Sequence, residues 1–208
     1  MADLPLTVRE AVPSDCEDIA ALFNGVIAER LPWFFSRTEH ISISQALGLI
    51  ERLSSAPNSI LLVADSNEGL AGILDCHGYS LPSQVHAAQF NLLVAQPYRA
   101  KSVGSALVQR LISWVEEQRV IVRLEAEVVS NNEASLALCS RFGLLLEGRK
   151  RNAVRVCDQY LDLCSGAPLG AARLAAESSR RALPPYQAIL VEVKPPGLAR
   201  RSLLGRWR

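Results

Sequence analysis

The chain has little with which to staple itself covalently or through a metal. Its five cysteines, Cys16, Cys76, Cys139, Cys157 and Cys164, are odd in number and scattered, and no Cys-x-x-Cys pair occurs. The three histidines, His40, His77 and His86, show no ligand spacing. A disulfide framework or a bound metal is therefore not expected. No apolar run reaches the ~18 residues of a membrane span. Met1-Ala2-Asp3-Leu4-Pro5 has neither the basic region nor the apolar core of a signal peptide. A cytoplasmic protein that does not enter membranes is the expectation. Aromatic residues make up 6% of the chain, and too few interleave with the basic residues of its last stretch to argue for nucleic acid as a partner.

What is present suits one globular domain with an appendage. Hydrophobic residues form 49% and charged residues 21% of 208 positions. The net charge of +1 hides an asymmetry: residues 169–208 hold eight basic and two acidic side chains, leaving 14 basic and 19 acidic ones in the body. An acidic body suits a cationic substrate such as an amine.

The order of elements can be read from periodicity. Leu6 to Ala11 reads as a strand. Ser14-x-x-Glu17 and Ser42-x-x-Gln45 read as capping boxes opening two helices, the first burying Ile19, Leu22, Phe23 and Val26. The second is expected to turn Ile43, Ala46, Leu47, Ile50 and Leu53 inward. Between them lies Leu31-Pro32-Trp33-Phe34-Phe35, the most aromatic stretch, which reads either as core beneath a loop or as the wall of an acceptor pocket. Ile60–Ala64 and Leu70–Leu74 form a hairpin, and Val85–Val94 the next strand. Arg119 to Val129 alternates, with Ile121, Arg123, Glu125 and Glu127 on a polar face and Val122, Leu124, Ala126 and Val128 on an apolar one. Ser130-x-x-Glu133 reads as a third capping box, and Gly143 as the stop of that helix. Leu144–Glu147 and Tyr160–Leu163 close the series. The order β-α-α-β-β-β-α-β-α-β-β points to an α+β domain with a mixed sheet.

One stretch organises the rest. Asn91-Leu92-Leu93-Val94-Ala95-Gln96-Pro97 passes from strand to loop, and Tyr98-Arg99-Ala100-Lys101-Ser102-Val103-Gly104-Ser105-Ala106-Leu107 enters a helix with Val103, Leu107, Leu111 and Trp114 on one stripe. A small-residue loop opening a helix is an anion site, because the first N–H groups lack intrahelical partners and the macrodipole adds positive charge. The segment Arg99-Ala100-Lys101-Ser102-Val103-Gly104 resembles the Arg/Gln-x-x-Gly-x-Gly/Ala motif of the GCN5-related N-acetyltransferases, with Ser102 where that motif has its first glycine. Asn132-Glu133-Ala134-Ser135-Leu136-Ala137-Leu138-Cys139-Ser140-Arg141-Phe142-Gly143-Leu144 resembles the family's second motif. Glu147-Gly148-Arg149 with Val154-Arg155 and Tyr160-Leu161-Asp162 is similar to the ending of its ribosomal-protein and amino-acid branches. The resemblance runs from about Leu6 to Pro168.

The resemblance implies the acyl-CoA N-acyltransferase fold, a mostly antiparallel twisted sheet splayed between its fourth and fifth strands. It implies acetyl-CoA as co-substrate, no metal, and transfer to a primary amine of a small molecule or a peptide N-terminus. Leu92, Leu93 and Val94 would meet the pantetheine arm through their backbone, and Arg99, Ala100, Lys101, Ser102, Val103, Gly104 and Ser105 would cradle the pyrophosphate. Asn132 would lie beside the arm and cap its helix, and a backbone N–H near Leu93 or Val94 would polarise the thioester. Cys139 stands where many members carry a proton-donating tyrosine; it reads as that acid or as a small core residue, with Ser140 or water as substitutes. Glu127 and His86 are the candidate bases, directly or through water. The rival reading is a degenerate member that binds acyl-CoA or a partner without efficient turnover. Residues 169–208, outside the resemblance, read as a partly disordered Ala/Arg-rich extension or as an extra strand for a homodimer contact.

Overall fold

The computed structural model describes residues 6–34, 39–156 and 158–166. The extension of residues 169–208 and Phe35 of the aromatic stretch therefore lie outside the described residues. Strand β1 (Leu6–Glu10) leads through a 3-10 turn (Pro13–Asp15) to helices α1 (Cys16–Ala28) and α2 (Ile43–Ser55). Strands β2 (Ile60–Ser66), β3 (Gly69–Gly78) and β4 (Ala87–Val94) follow, then α3 (Val103–Gln118). The chain continues through β5 (Arg123–Glu125), β6 (Glu127–Val129), α4 (Glu133–Arg141), β7 (Leu146–Val156) and β8 (Gln159–Gly166). Five strands form one sheet in the order β1-β2-β3-β4-β5, and β6-β8-β7 form a second. Every pairing is antiparallel except β4 with β5. This is the expected α+β architecture with a mixed sheet.

Each face of the five-stranded sheet has its own core. Val103, Leu107, Leu111 and Trp114 of α3 pack on Leu62, Leu74, Ala88 and Phe90, as the stripe on α3 predicts. On the other face Ile19, Leu22, Phe23 and Val26 of α1 and Ala46, Ile50 and Leu53 of α2 cover Leu61, Val63 and Ile73. Gly72 allows α3 to sit close: a Cβ there would lie 2.9 Å from the Leu93 carbonyl oxygen and 3.1 Å from Val103 Cγ1.

Four local expectations need correction. Ile43 is half exposed (50%), at the first position of α2, where burial has not yet begun; Ala46, one turn on, is fully buried. The fifth strand is two strands: Leu124 and Ala126 are buried, but the next buried position is Val129, so the alternation slips as the chain leaves β4 for β8. Ahead of β5, which begins only at Arg123, Val122 is exposed and Ile121 buried, the reverse of the expected faces. Of the three capping boxes only Ser42–Gln45 forms, with Gln45 N–H donating to Ser42 Oγ (3.2 Å) and Ser42 N–H to Gln45 Oε1 (2.8 Å). At α1 the cap position is Asp15, whose carboxylate bonds nothing in the helix and instead accepts from Val12 N–H and from Arg9 Nη1 and Nη2 at 2.7–2.9 Å. At α4 the cap is Asn132, whose Oδ1 accepts Ser135 N–H at 3.2 Å. Gly143, at φ +77°, ends α4 as expected: Leu144 N–H reaches the Cys139 carbonyl (3.0 Å) and Gly143 N–H the Ser140 carbonyl (3.0 Å).

Candidate active site

The site begins where β4 parts from β5. Their parallel ladder holds Ala87↔Arg123, Ala88↔Leu124 and Gln89↔Glu125, and stops there. Tyr79 and Arg123 close this joined end, Tyr79 Oη donating to Glu125 Oε2 (3.0 Å) and Arg123 Nη1 to Glu147 Oε1 (2.9 Å). Beyond Gln89, β4 runs on with β3 while the other chain turns as β6 towards β8. The gap is a cleft of about 630 Å³.

The register decides which backbone groups of β4 face it. Ala95 N–H donates to the Ala71 carbonyl (3.0 Å) and Tyr79 N–H to the Ala87 carbonyl (3.1 Å). In an antiparallel ladder hydrogen-bonded pairs alternate, so Gln89, Asn91 and Leu93 exchange bonds with β3. Leu92 and Val94 therefore turn their backbone groups to the open side. Of the two residues read as oxyanion donors, Val94 has its N–H in the cleft, whereas that of Leu93 is committed to β3. The Val94 carbonyl is also taken, accepting from Arg99 Nε at 3.0 Å.

At one end of the cleft α3 begins. Its cap residue Ser102 offers no side-chain hydrogen bond, so the first N–H groups of α3 have no side-chain acceptor at the cap. Ser102 sits at φ +64° and Ala100 at φ +58°, a region that costs an L-residue roughly 1–2 kcal/mol. Gly104 is needed for packing as much as for approach: a Cβ there would meet Leu92 Cδ2 at 3.2 Å and Leu138 Cδ2 at 3.4 Å. Arg141 on α4 adds a cation near this turn, with Nη1 3.3 Å from Ser105 Oγ.

The residues read from the sequence mostly converge here. Leu92, Leu93, Val94, Arg99, Ala100, Ser102, Val103, Gly104, Ser105 and Asn132 all line the cleft, as do Glu127 and Cys139. Lys101 does not line it; its Nζ lies over the Tyr98 ring, 5.8 Å from the centroid. The Arg99 guanidinium is occupied, forming a two-pronged pair with Glu29 at 2.6 and 2.7 Å. Burial pushes the Cys139 thiol up, which keeps it protonated. Glu127 pairs with Lys150. His86 is exposed on the segment before β4, outside the cleft lining, and its carbonyl receives Val122 N–H (2.8 Å) and Arg123 N–H (3.1 Å).

Several lining residues were not read as site residues from the sequence, among them Asp75, His77 and Asn91. Asp75 and His77 lie two apart on β3, and Asn91 stands opposite Asp75 on β4. Asn91 Nδ2 donates to Asp75 Oδ2 at 2.9 Å, and His77 Nε2 bonds the same oxygen. They share the sheet face with Ile73 and Leu93, looking towards α1 and α2. Phe23, Val26, Leu31, Trp33, Phe34 and Ile41 wall that side of the cleft, so the aromatic stretch does line a pocket. The other side belongs to α3 and α4. Among the described residues no three His, Cys, Asp or Glu side chains cluster as metal ligands, and no helix is long and apolar enough to cross a membrane.

Known proteins share this fold. An L-amino acid N-acetyltransferase of Escherichia coli (strain K12) is 25% identical over 112 residues, 54% of this chain and 69% of that protein. The fold matches an acetyltransferase of Salmonella typhimurium solved with acetyl-CoA (TM-score 0.72, 19% identity), over 79% of this chain and 94% of that one. It also matches a ribosomal-protein-alanine N-acetyltransferase of Brucella melitensis (TM-score 0.71, 20% identity), over 77% of this chain and 98% of that one. The acetyltransferase (GNAT) domain family itself matches residues 8–164. That span is most of the chain and decides the class: the protein belongs to the acetyltransferase (GNAT) family and is an acetyl-CoA-dependent acyltransferase.

Proposed function

We propose that the chain transfers an acetyl group from acetyl-CoA to a primary amine of a small molecule or a peptide N-terminus, by direct attack within a ternary complex. The observation that carries this reading is the two-sided cleft: the open edge of β4 runs between the uncapped start of α3 and the aromatic pocket of α1 and α2. The N–H groups of Val103, Gly104 and Ser105 suit a pyrophosphate. The exposed edge at Leu92 and Val94 suits the amides of a pantetheine arm, with Asn132 and Ser135 on the far wall. The Val94 N–H, facing the open side of β4, suits the oxyanion. The catalytic gain then comes chiefly from holding amine and thioester in reach of one another.

In the reaction the amine lone pair forms the C–N bond and the C–S bond breaks, its electrons leaving on sulfur. The Cys139 thiol, held neutral by burial, is suited to protonating that sulfur. On the acceptor side, Arg52 of α2 also lines the cleft and supplies a cation, which favours amines bearing a carboxylate. An E. coli relative acts on L-amino acids, and free amino acids fit that chemistry.

The rival reading, binding without efficient turnover, draws on Ser102, strained at φ +64°, and on Cys139 in place of the family's tyrosine. Calorimetric titration with acetyl-CoA, followed by a free-thiol assay over a panel of amino acids and peptide N-termini, separates the two. Micromolar binding with amine-dependent thiol release supports transfer. Binding with no release for any amine leaves the rival, and no binding at millimolar acetyl-CoA overturns both.

A further inference from the structure

Two charged side chains are buried in the described core, Asp15 and Asp75, each 7% exposed. Asp15 has an ordinary reason: Arg9 and the Val12 N–H satisfy it. Asp75 does not. Among the described residues it pairs with no Lys or Arg; its partners are Asn91 Nδ2 at 2.9 Å and His77 Nε2. A buried carboxylate without a permanent cation is costly to keep. This one lies in the wall of the cleft, on the face where the amine would enter.

The donors around it fix the histidine. A carboxylate oxygen only accepts hydrogen bonds, so the Asn91 amide and His77 Nε2 both present hydrogens to Asp75 Oδ2. With Nε2 protonated, the free lone pair of the imidazole is on Nδ1. The His77 side chain is 38% exposed, against 11% for Asp75, and both line the cleft. The positions also match the backbone: Asp75↔Asn91 and His77↔Gln89 are successive same-face pairs of the β3–β4 ladder. The two rungs border Leu93 and the point where β4 leaves β5.

We propose that His77 Nδ1 is the proton acceptor for the incoming amine, with Asp75 and Asn91 as positioning residues that fix its tautomer and stabilise the imidazolium. The proposal rests on the acetyl-transfer reading of the cleft. An ammonium gives one proton to His77 and attacks as the neutral amine. After the C–S bond breaks, the nitrogen gives its second proton to the departing sulfur through Cys139 or water, and His77 returns its proton to solvent. Three hydrogens on nitrogen become one, and the sulfur leaves as a thiol. The other titratable or charged groups lining the cleft are Arg52 of α2, Tyr98 and Arg99 of the loop after β4, Glu127 of β6 and Cys139 of α4. Arg99 and Glu127 already have partners in Glu29 and Lys150. From α1 the facing side chains are apolar, Phe23 and Val26.

The test is the pH profile of kcat/KM for wild type, His77→Gln and Asp75→Asn, with acetyl-CoA affinity measured in each by calorimetry. His77→Gln is expected to lose roughly 100-fold in kcat/KM, within the usual range of acid–base catalysis, and to lose the wild-type inflection while binding acetyl-CoA normally. Asp75→Asn is expected to lose less and to move the inflection to lower pH, since the imidazolium has lost its counter-charge. A structural Asp75 would lower stability without moving the inflection. Wild-type activity with an unchanged profile in His77→Gln overturns this assignment alone. Wild type that binds acetyl-CoA but releases no thiol with any amine overturns the acetyl-transfer reading and this assignment together.

Discussion

The guanidinium of Arg99 forms a two-pronged pair with the carboxylate of Glu29, Nη1 2.6 Å from Oε2 and Nη2 2.7 Å from Oε1, and joins the loop after β4 to the C-terminal end of α1. Glu29 follows the final residue of α1, where the helix dipole disfavours an acid, so a cation there is needed on local grounds as well. Nε of the same group holds the Val94 carbonyl. One side chain thus links the end of α1, the open edge of β4 and the approach to α3. Glu29→Gln keeps the shape and removes the charge. We expect a several-fold rise in KM for acetyl-CoA with kcat little changed, read from steady-state kinetics. A proportional fall in kcat with KM unchanged would contradict this coupling.

Ser102 occupies a left-handed position ahead of α3. Ser102→Gly removes the Cβ strain but frees the unfolded chain, so the net gain should be about 1 kcal/mol or less. In a domain of this size that is a rise of about 2–4 °C in Tm at most. Acetyl-CoA affinity should hold or improve. A loss of affinity would mean that the hydroxyl itself contacts the ligand.

Gly104 separates packing from charge. Gly104→Ala brings a methyl to 3.2 Å from Leu92 Cδ2, a contact that a flexible leucine end relieves, so binding should persist within several-fold. Gly104→Glu adds bulk and a negative charge at the first turn of α3, and should abolish acetyl-CoA binding in calorimetry. Unchanged affinity in the glutamate variant would remove the phosphate site from α3.

Cys139→Ala tests the thiol. Because burial raises its pKa, the neutral form persists to higher pH than in a free thiol, and alkylation by iodoacetamide at Cys139 should stay slow at neutral pH. If the thiol protonates the leaving sulfur, the alanine variant loses about 10-fold or more in turnover at unchanged acetyl-CoA affinity. An unaltered rate would place Cys139 in the core beside Leu138.

The Arg9–Asp15 pair predicts acid sensitivity. Hydrogen bonding from Arg9 holds the Asp15 carboxyl below its ordinary value of 3.8. A lowered folded-state pKa gives stability that is complete above the unfolded value and is lost as pH falls through the folded one. Asp15→Asn should therefore cost about 1–3 kcal/mol at neutral pH, with the deficit narrowing below pH 4. Urea titration at several pH values measures this, and a deficit independent of pH would contradict the linkage.

Much of this was legible in the sequence for a physical reason. The stripe Val103, Leu107, Leu111 and Trp114 and the small-residue loop ahead of it are local signals, and local signals survive folding. The break at Ala126 was not legible, because Arg123 to Val128 alternates without interruption and only the change of partner strand shifts the buried face. Capping went astray where the competing groups were remote or adjacent: Arg9 recruits Asp15, and Asn132 captures the first turn of α4 ahead of Ser130. The Asp75–His77–Asn91 group joins positions 14 to 16 residues apart, and no spacing rule finds it. A weaker signal was available: two polar residues, i and i+2, at the end of the apolar run Leu70–Leu74 share one face of a strand with nothing polar expected beneath them.

The seam between β4 and β5 has a consequence for the protein before any ligand reaches it. Sheets avoid presenting unpaired edges, because a foreign strand can complete them. Here the edge lies in the middle of the molecule, at Leu92 and Val94, beside apolar walls. Until a ligand lies along it, as we propose for the amides of a pantetheine arm, the molecule is a sheet with a rung missing, open to misassociation. Cofactor supply should then govern how long the protein lasts in solution as well as how fast it works, so preparations stripped of coenzyme A should aggregate sooner than loaded ones.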